Sequence, residues 1–216
     1  MKKIFWEDPY LTQLQTKVKE VRENKILPEE TIIFSFSGGQ ESDKATMNRL
    51  PVLNSEKMGN LIYYTLPADH PFKIGDAIEM QIDWPRRYRL MRLHFAAELV
   101  LELVTRKAGL EKIGAHIAQD KARIDFLYDQ NISTLFPEIL ADYNQIICSD
   151  LPIQTGYLDE ISQRRYWRID GFTQVPCGGT HVKSTKEVGY VTLKRQNIGR
   201  SKERIEIRLM EPDGGS

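Results

Sequence analysis

Residues 84–109, WPRRYRLMRLHFAAELVLELVTRKAG, carry the clearest helical period in the chain. Pro85 suits the first turn of a helix, where its missing N–H costs nothing. Leu90, Leu93, Ala97, Leu101 and Val104 recur at helical spacing. Arg106 and Lys107 fall in the last turn, and Gly109 just past it is a stop signal. This reads as one long helix with an apolar face, and the chain changes character on either side of it.

Before the helix, short stretches alternate apolar and polar residues. Residues 12–23, 31–36, 61–66 and 77–82 read as strands. Turn chemistry separates them at Asn24-Lys25, Leu27-Pro28, Ser37-Gly38-Gly39, Met58-Gly59-Asn60 and Ile74-Gly75-Asp76. Many short strands with close turns suggest a small β-barrel over residues 1–84. After the helix, residues 112–116 and 122–127 read as strands around Gln119-Asp120, and a second helix runs over residues 134–148. Strand-like segments at 155–158, 166–169, 188–194 and 204–209 complete a second domain over residues 85–216. The elements do not alternate regularly, which argues for an α+β fold and against a doubly wound parallel sheet.

The helix also carries chemistry. His94 and Glu98 are four residues apart, so both side chains lie on one face. Leu90, Ala97 and Leu101 make that face largely apolar, where an unpaired carboxylate is very costly. Metal coordination is one compensation; a plain i,i+4 hydrogen bond is another and, for the pair alone, the commoner one. A second cluster, Cys177-Gly178-Gly179-Thr180-His181, places a thiol and an imidazole four residues apart across two glycines. The glycines permit a tight reversal or a close approach of backbone to a substrate. Thiolate and imidazole suit Zn²⁺, with a carboxylate acceptable as a further donor. His94, Glu98, Cys177 and His181 together make a tetrahedral set in principle. His70 and His116 have no matching partners in sequence and read as a loop and a strand residue.

The 216 residues are 41% hydrophobic and 28% charged, ordinary values for a globular protein, with formal net charge zero. Affinity for a polyanion must therefore come from local clustering of charge. No apolar run approaches the ~18 residues that span a bilayer, and MKKIFWEDPY lacks an apolar signal core. Two cysteines, Cys148 and Cys177, point to a reducing compartment without a disulfide framework. The expectation is a cytoplasmic protein with no membrane partner, monomeric or homodimeric.

These residues resemble a known family. RLMRLHFAAELV resembles the first motif of the AlaX-type alanyl-tRNA editing proteins, R-x-x-H-T-x-x-H-L. DGFTQVPCGGTHVKSTKEVG resembles their second motif, built around C-G-G-T-H, and FSGGQ resembles their Gly-Gly-Gln element. GAHIAQDKARIDF and NIGRSKERIEIRL also resemble family segments, so the likeness runs nearly the whole chain in order. Related modules occur inside alanyl-tRNA synthetase and, as the second additional domain, in threonyl-tRNA synthetase. The resemblance implies an N-terminal β-barrel followed by an editing domain of that type. It implies hydrolysis of the ester joining serine or glycine to alanine-specific tRNA, with one Zn²⁺ per chain. It makes His94 the first helix histidine, Cys177 and His181 the second ligand pair, and Gln40 the pocket glutamine.

Three departures stand out. The family's second helix histidine is Glu98 here, either a fourth metal ligand or a general base beside a three-ligand ion. The threonine after the first histidine, which the resemblance ties to recognition of a serine hydroxyl, is Phe95. The family's Tyr-Pro-Thr before the glycines is replaced by Phe34-Ser35-Phe36. These point to an altered substrate amino acid or to a tRNA-binding homologue with changed or lost deacylase activity. A metal-dependent hydrolase acting on a small ester or amide is a third reading.

The expected catalytic groups are Glu98, Gln40 and Thr180, with N–H groups around Gly178, Gly179 and Thr180 as oxyanion donors. Basic residues cluster despite the neutral total. Arg86, Arg87, Arg89 and Arg92 precede His94 with no acid in residues 84–92, and residues 182–210 hold eight Lys or Arg against three Glu. Arg86, Arg87, Lys183, Lys194, Arg195, Arg200 and Lys202 are the expected contacts to tRNA phosphates. Without the resemblance, the same charges describe a solvated hairpin face. Tyr88, Tyr166 and Trp167 suit base stacking or, more commonly, core packing.

Overall fold

A computed structural model describes residues 1–210 of the chain. The first eighty residues form β1 (Lys2–Lys3), a 3-10 turn at Ile4–Trp6, β2 (Gln13–Arg22), β3 (Lys25–Pro28), β4 (Glu30–Thr31), β5 (Ala45–Met47), β6 (Leu50–Pro51), β7 (Asn54–Met58), β8 (Leu61–Thr65) and β9 (Ala77–Ile82). Seven of these strands make one antiparallel sheet in the order β6-β5-β9-β2-β3-β8-β7. β2 is the spine. Its first half, from Gln13 to Lys17, pairs with β9, and its second half, from Val18 to Arg22, pairs with β3. The register slips between Val18 and Glu20, a bulge that bends the strand and curls the sheet.

The expected small β-barrel takes the form of this curled sheet, a half-barrel. Its edges β6 and β7 do not pair among the described residues. β6 is two residues long and ends at Pro51, which has no N–H to offer a ladder. The β5–β6 turn is tight because Asn48 and Arg49 both take positive φ, 47° and 70°, the mirror-image turn that suits hairpins.

The strand expected over residues 31–36 is also corrected. Regular pairing stops at Thr31, yet Ile32, Ile33 and Phe34 are buried. Buried backbone needs partners, and side chains supply them. Phe34 N–H donates to Asp43 Oδ2 at 2.6 Å, and Ile33 N–H to Thr31 Oγ1 at 3.0 Å. The Ile33 carbonyl accepts from Tyr64 Oη at 2.6 Å, and the Ile32 carbonyl from Arg87 Nη2 at 2.6 Å. Of the turns expected at Asn24-Lys25 and Leu27-Pro28, Asn24 lies in one, whereas Lys25 and Leu27-Pro28 belong to β3; the reversal is made at Glu23, φ 53°, and Asn24.

α1 (Trp84–Ala108) follows β9 directly. Asp83 caps it by accepting from Arg86 N–H at 3.1 Å, and Gly109 ends it at φ 62°. Its middle is buried all round: Leu93, His94, Phe95, Ala96, Ala97, Leu99 and Val100 are each at most 4% exposed. It is therefore a central helix and not a surface helix with one apolar face.

Around it lie β10 (Glu111–Ile117), β11 (Ala122–Leu127), a 3-10 turn at Ile132–Leu135, α2 (Phe136–Cys148), β12 (Gln154–Asp159), β13 (Arg164–Ile169), β14 (Thr173–Pro176), α3 (Thr185–Val188), β15 (Val191–Gly199) and β16 (Lys202–Leu209). These strands form two antiparallel sheets, β10-β11-β16-β15 and β12-β13-β14. The strand expected at 188–194 begins only at Val191, because the helical turn α3 and Gly189 at φ 78° precede it. One hydrophobic core lies inside the curled sheet, around Phe5, Ile26, Ile33 and Met80; a second surrounds α1. Trp84 packs against both.

Arg87 ties the two halves. Its guanidinium is wholly buried, forms an ion pair with Asp43, and also donates to the Pro9 and Ile32 carbonyls. A phosphate contact is closed to it, so its expected tRNA role is withdrawn. Removing one partner of a buried pair strands the other charge. We expect Asp43→Ala and Arg87→Met each to cost about 3–5 kcal/mol in denaturant unfolding. The double variant Arg87→Met/Asp43→Ala should lose less than the sum; strict additivity would show that the two groups do not act as a pair.

Candidate active site

The helix, the Gly-Gly-Gln turn and the loop after β14 converge on one buried point. His94 comes from the middle of α1, and Cys177 and His181 from the loop between β14 and α3. One ligand atom from each lies within 4.8 Å of the other two. The two imidazoles stack, with ring centroids 5.0 Å apart.

Hydrogen bonding selects which nitrogen faces inward. His94 Nδ1 lies 3.3 Å from the Thr180 carbonyl, which can only accept. The neutral ring therefore carries its proton on Nδ1 and turns the Nε2 lone pair towards Cys177 Sγ, 3.5 Å away. His181 Nε2 is buried with no hydrogen-bond partner. An orphaned imidazole nitrogen, a second imidazole and a thiol at mutual contact fit a Zn²⁺ ion in donor type and in spacing.

Glu98 borders this group on the side of His94 and Cys177. Its Oε1 lies 3.5 Å from His94 Nε2 and 3.8 Å from Cys177 Sγ, and its Oε2 accepts from Trp167 Nε1 at 3.1 Å. Burial alone would raise the Glu98 carboxyl. The hydrogen bond and charge of His94 outweigh it, holding the group down to about 2. Burial likewise lowers His94, but Cys177 and Glu98 reverse it and lift His94 well above its ordinary value. His181 is pushed down to about 3 by burial and then by the His94 charge. Without an ion, its partners thus favour the protonated form of His94, and burial favours the neutral form of His181.

Gln40 arrives from the other half of the molecule. Gly39 adopts φ +91°, and a Cβ there would stand 2.7 Å from the Ala115 carbonyl oxygen. Ile117 N–H donates to the Gly39 carbonyl at 2.8 Å, and Glu41 N–H to the Ile117 carbonyl at 3.0 Å. So pinned, the buried Gln40 amide clamps Thr180 twice: Nε2 donates to Thr180 Oγ1 at 2.8 Å, and Oε1 accepts from Thr180 N–H at 3.2 Å. Thr180 N–H is therefore already committed and is removed from the expected oxyanion donors. Thr180 holds Gln40 on one side and His94 on the other.

Several supporting residues left no local signal in the sequence. Trp6 Nε1 donates to the Gly178 carbonyl at 2.8 Å across 172 residues. Trp167, fully buried, steadies Glu98 and packs edge-on against Phe95, so base stacking is closed to it. Phe95 also meets the His181 ring edge-on at 5.8 Å. Arg165 lines a cavity beside His181 and donates to the Trp6 carbonyl and to Thr155 Oγ1. His116 finds a partner in Glu41, Nε2 to Oε1 at 3.1 Å.

The other expected tRNA contacts divide. Arg86 is largely covered, bound to Glu41, the Ser42 carbonyl and Gln119. Arg195 is paired with Glu203. Lys183 is exposed over the Tyr10 ring and lines the cavity beside His181. Lys194, Arg200 and Lys202 are exposed on the β15–β16 hairpin, with no carboxylate partner among the described residues.

The helix and the Cys-Gly-Gly-Thr-His loop meet in a chain that is similar to the editing domains of tRNA synthetases. Residues 166–206 match the threonyl and alanyl tRNA synthetase second additional domain. The alanyl-tRNA editing protein AlaX-M of Pyrococcus horikoshii is 35% identical over 214 residues, 96% of this chain and 97% of that protein. The AlaX-M protein of Methanosarcina barkeri is 28% identical, covering 96% of this chain and 98% of its own. An alanine–tRNA ligase of Methanococcus maripaludis is 27% identical over 94% of this chain but only 25% of the ligase. The chain belongs to the AlaX-type alanyl-tRNA editing protein family.

The two glycines of the loop differ in what they tolerate. A Cβ on Gly179 would stand 2.1 Å from His94 Cε1 and 2.8 Å from Gln40 Oε1, whereas one on Gly178 would meet only Trp6 at 3.9 Å. A metal ion held by this donor group should be lost in Gly179→Ala, which stays folded, and kept in Gly178→Ala. Elemental analysis with circular dichroism checks both; equal retention would show that the loop yields at Gly179.

Proposed function

We propose that the chain is a free-standing deacylase that removes a wrongly attached amino acid from tRNA, of the Ser- or Gly-tRNA(Ala) class, at a zinc-centred site. The observation that supports it most is the meeting of His94, Cys177 and His181 around an orphaned nitrogen, in a chain of this family. These three would hold one Zn²⁺. When bound, the ion would polarise the ester carbonyl or lower the pKa of a water beside it.

The chain's own groups supply the remainder. Thr180 fixes the His94 tautomer through its carbonyl, and Gln40 fixes Thr180. Glu98, anchored at Oε2 by Trp167, places Oε1 beside His94 and Cys177 but lies outside the three-member donor group, which favours the base over the fourth-ligand reading. Gly178 and Gly179 N–H groups make no hydrogen bond to described residues, and they are the donors left for an oxyanion. Burial of His94, Gln40, Thr180 and His181 keeps bulk water from the reacting ester.

Phe95 offers no hydroxyl to a serine side chain, so discrimination between seryl and glycyl esters should be weak. The exposed Lys183, Lys194, Arg200 and Lys202 would carry tRNA phosphates, with cytoplasmic tRNA as the partner. No helix among the described residues is long and apolar enough to cross a membrane.

A deacylation panel over Ser-, Gly- and Ala-tRNA(Ala), with and without chelator, tests the reading. Binding of tRNA without hydrolysis of any ester would favour a catalytically altered homologue instead. We expect Cys177→Ala to reduce bound zinc from one equivalent to none and to abolish turnover; a full equivalent surviving would refute the ligand set. Glu98→Gln should keep its zinc and lower kcat by about 10²-fold or more, and a loss of zinc in that variant would make Glu98 a ligand.

A further inference from the structure

Lys3 and Lys57 share a cleft that also includes Trp6, Ser35, Ser37 and Gly178. Lys3 is 5% exposed, yet it forms no ion pair with a carboxylate among the described residues. Its Nζ donates to Gln163 Oε1 at 2.5 Å and lies 4.3 Å from the Trp6 ring centroid. Lys57, exposed on the edge strand β7, reaches only Ser37 Oγ at 3.4 Å. The nearest acids along the chain are already taken, Glu7 by Lys2 and Glu56 by Lys25. Burial, then the charge of Lys57, holds the Lys3 ammonium down to about 8. Two cations in one cleft without a counter-ion repel each other, and an anion placed between them would relieve that cost.

The cleft is adjacent to the chemistry. Gly178 follows Cys177 directly, and its carbonyl is held by Trp6, the residue whose ring Lys3 covers. A ligand anchored there is one residue of loop away from the thiol of the donor group.

We propose that Lys3 and Lys57 form a phosphate clamp for the phosphodiester on the 5′ side of the terminal, aminoacylated nucleotide. The proposal rests on the deacylase reading, in which the ester sits on that nucleotide's ribose, so the phosphate is one sugar away. The lysines fix the ribose without reading base identity, which suits an end that every tRNA shares. Such a contact differs from the hairpin cations, because it acts on the reacting nucleotide itself.

The test compares hydrolysis of glycyl-adenosine with glycyl-adenosine 5′-monophosphate, the ester being on the 2′ or 3′ hydroxyl in both. The readout is the ratio of their kcat/KM values. The wild-type chain should favour the phosphorylated ester by about tenfold or more, as expected for hydrogen bonds to a charged group. Lys57→Gln should bring the ratio close to one, Lys57→Arg should restore much of it, and the surface control Lys19→Gln should leave it unchanged. With full aminoacyl-tRNA, Lys57→Gln should flatten the log–log salt slope by about 0.7, the loss of one contact to a single strand.

A wild-type ratio near one, or an unchanged ratio in Lys57→Gln, would overturn the clamp. If neither ester is hydrolysed, the deacylase reading fails on its own, and binding then judges the clamp. Adenosine 5′-monophosphate should bind the wild-type chain at least tenfold more tightly than adenosine, and Lys57→Gln should abolish the difference. Equal binding would overturn the proposal, as would inorganic phosphate competing as well as the nucleotide does.

Discussion

The buried ion pair between Arg87 and Asp43 is the contact on which the arrangement depends. Asp43 lies just past the Gly-Gly-Gln turn, and Arg87 lies in the first turns of α1. Their charges neutralise each other out of water, and their remaining hydrogen-bonding capacity satisfies the Phe34 N–H and the Ile32 carbonyl. Those groups are buried without a ladder, so without the pair they would lose these partners. The pair therefore fixes an irregular segment against a helix, and everything attached to either one inherits the alignment.

From there the constraint passes through a short series of contacts. The segment leads into Gly39, wedged against the Ala115 carbonyl, and so presents Gln40. Gln40 holds Thr180 by two hydrogen bonds, and Thr180 holds the Nδ1 side of His94. His94 is itself on α1, seven residues beyond Arg87, so the series closes into a loop. A closed loop of directed contacts explains how imidazoles and a thiol are kept at mutual contact in a core. Each member is over-determined, and the cost of keeping lone pairs dry is borne by packing elsewhere.

The same geometry separates roles that residue type alone confounds. Arg86, Arg87, Lys183 and Arg195 are all cations near the motifs. Arg87 is structural, Arg86 and Arg195 are held by carboxylates, and only Lys183 stands open beside the cavity. Trp167, read as a stacking or, more commonly, a core aromatic, lies in the core and donates the hydrogen bond that orients Glu98.

The sequence by itself determined the local and the chemical. Pro85 and Gly109 bound the long helix because helix-end and φ preferences act within a few residues. The alternation in residues 77–82 became β9 without change, and the spacing of His94, Glu98, Cys177 and His181 marked side chains that the structure brings together. Only the tertiary structure decided that the first sheet stays open, that residues 32–36 leave the ladder, that Arg87 is buried, and that Trp6 and Gln40 brace a loop well over a hundred residues away. Propensity and periodicity are short-range, whereas sheet closure and side-chain partnership are settled by which distant surfaces meet, and no window of sequence contains both of them.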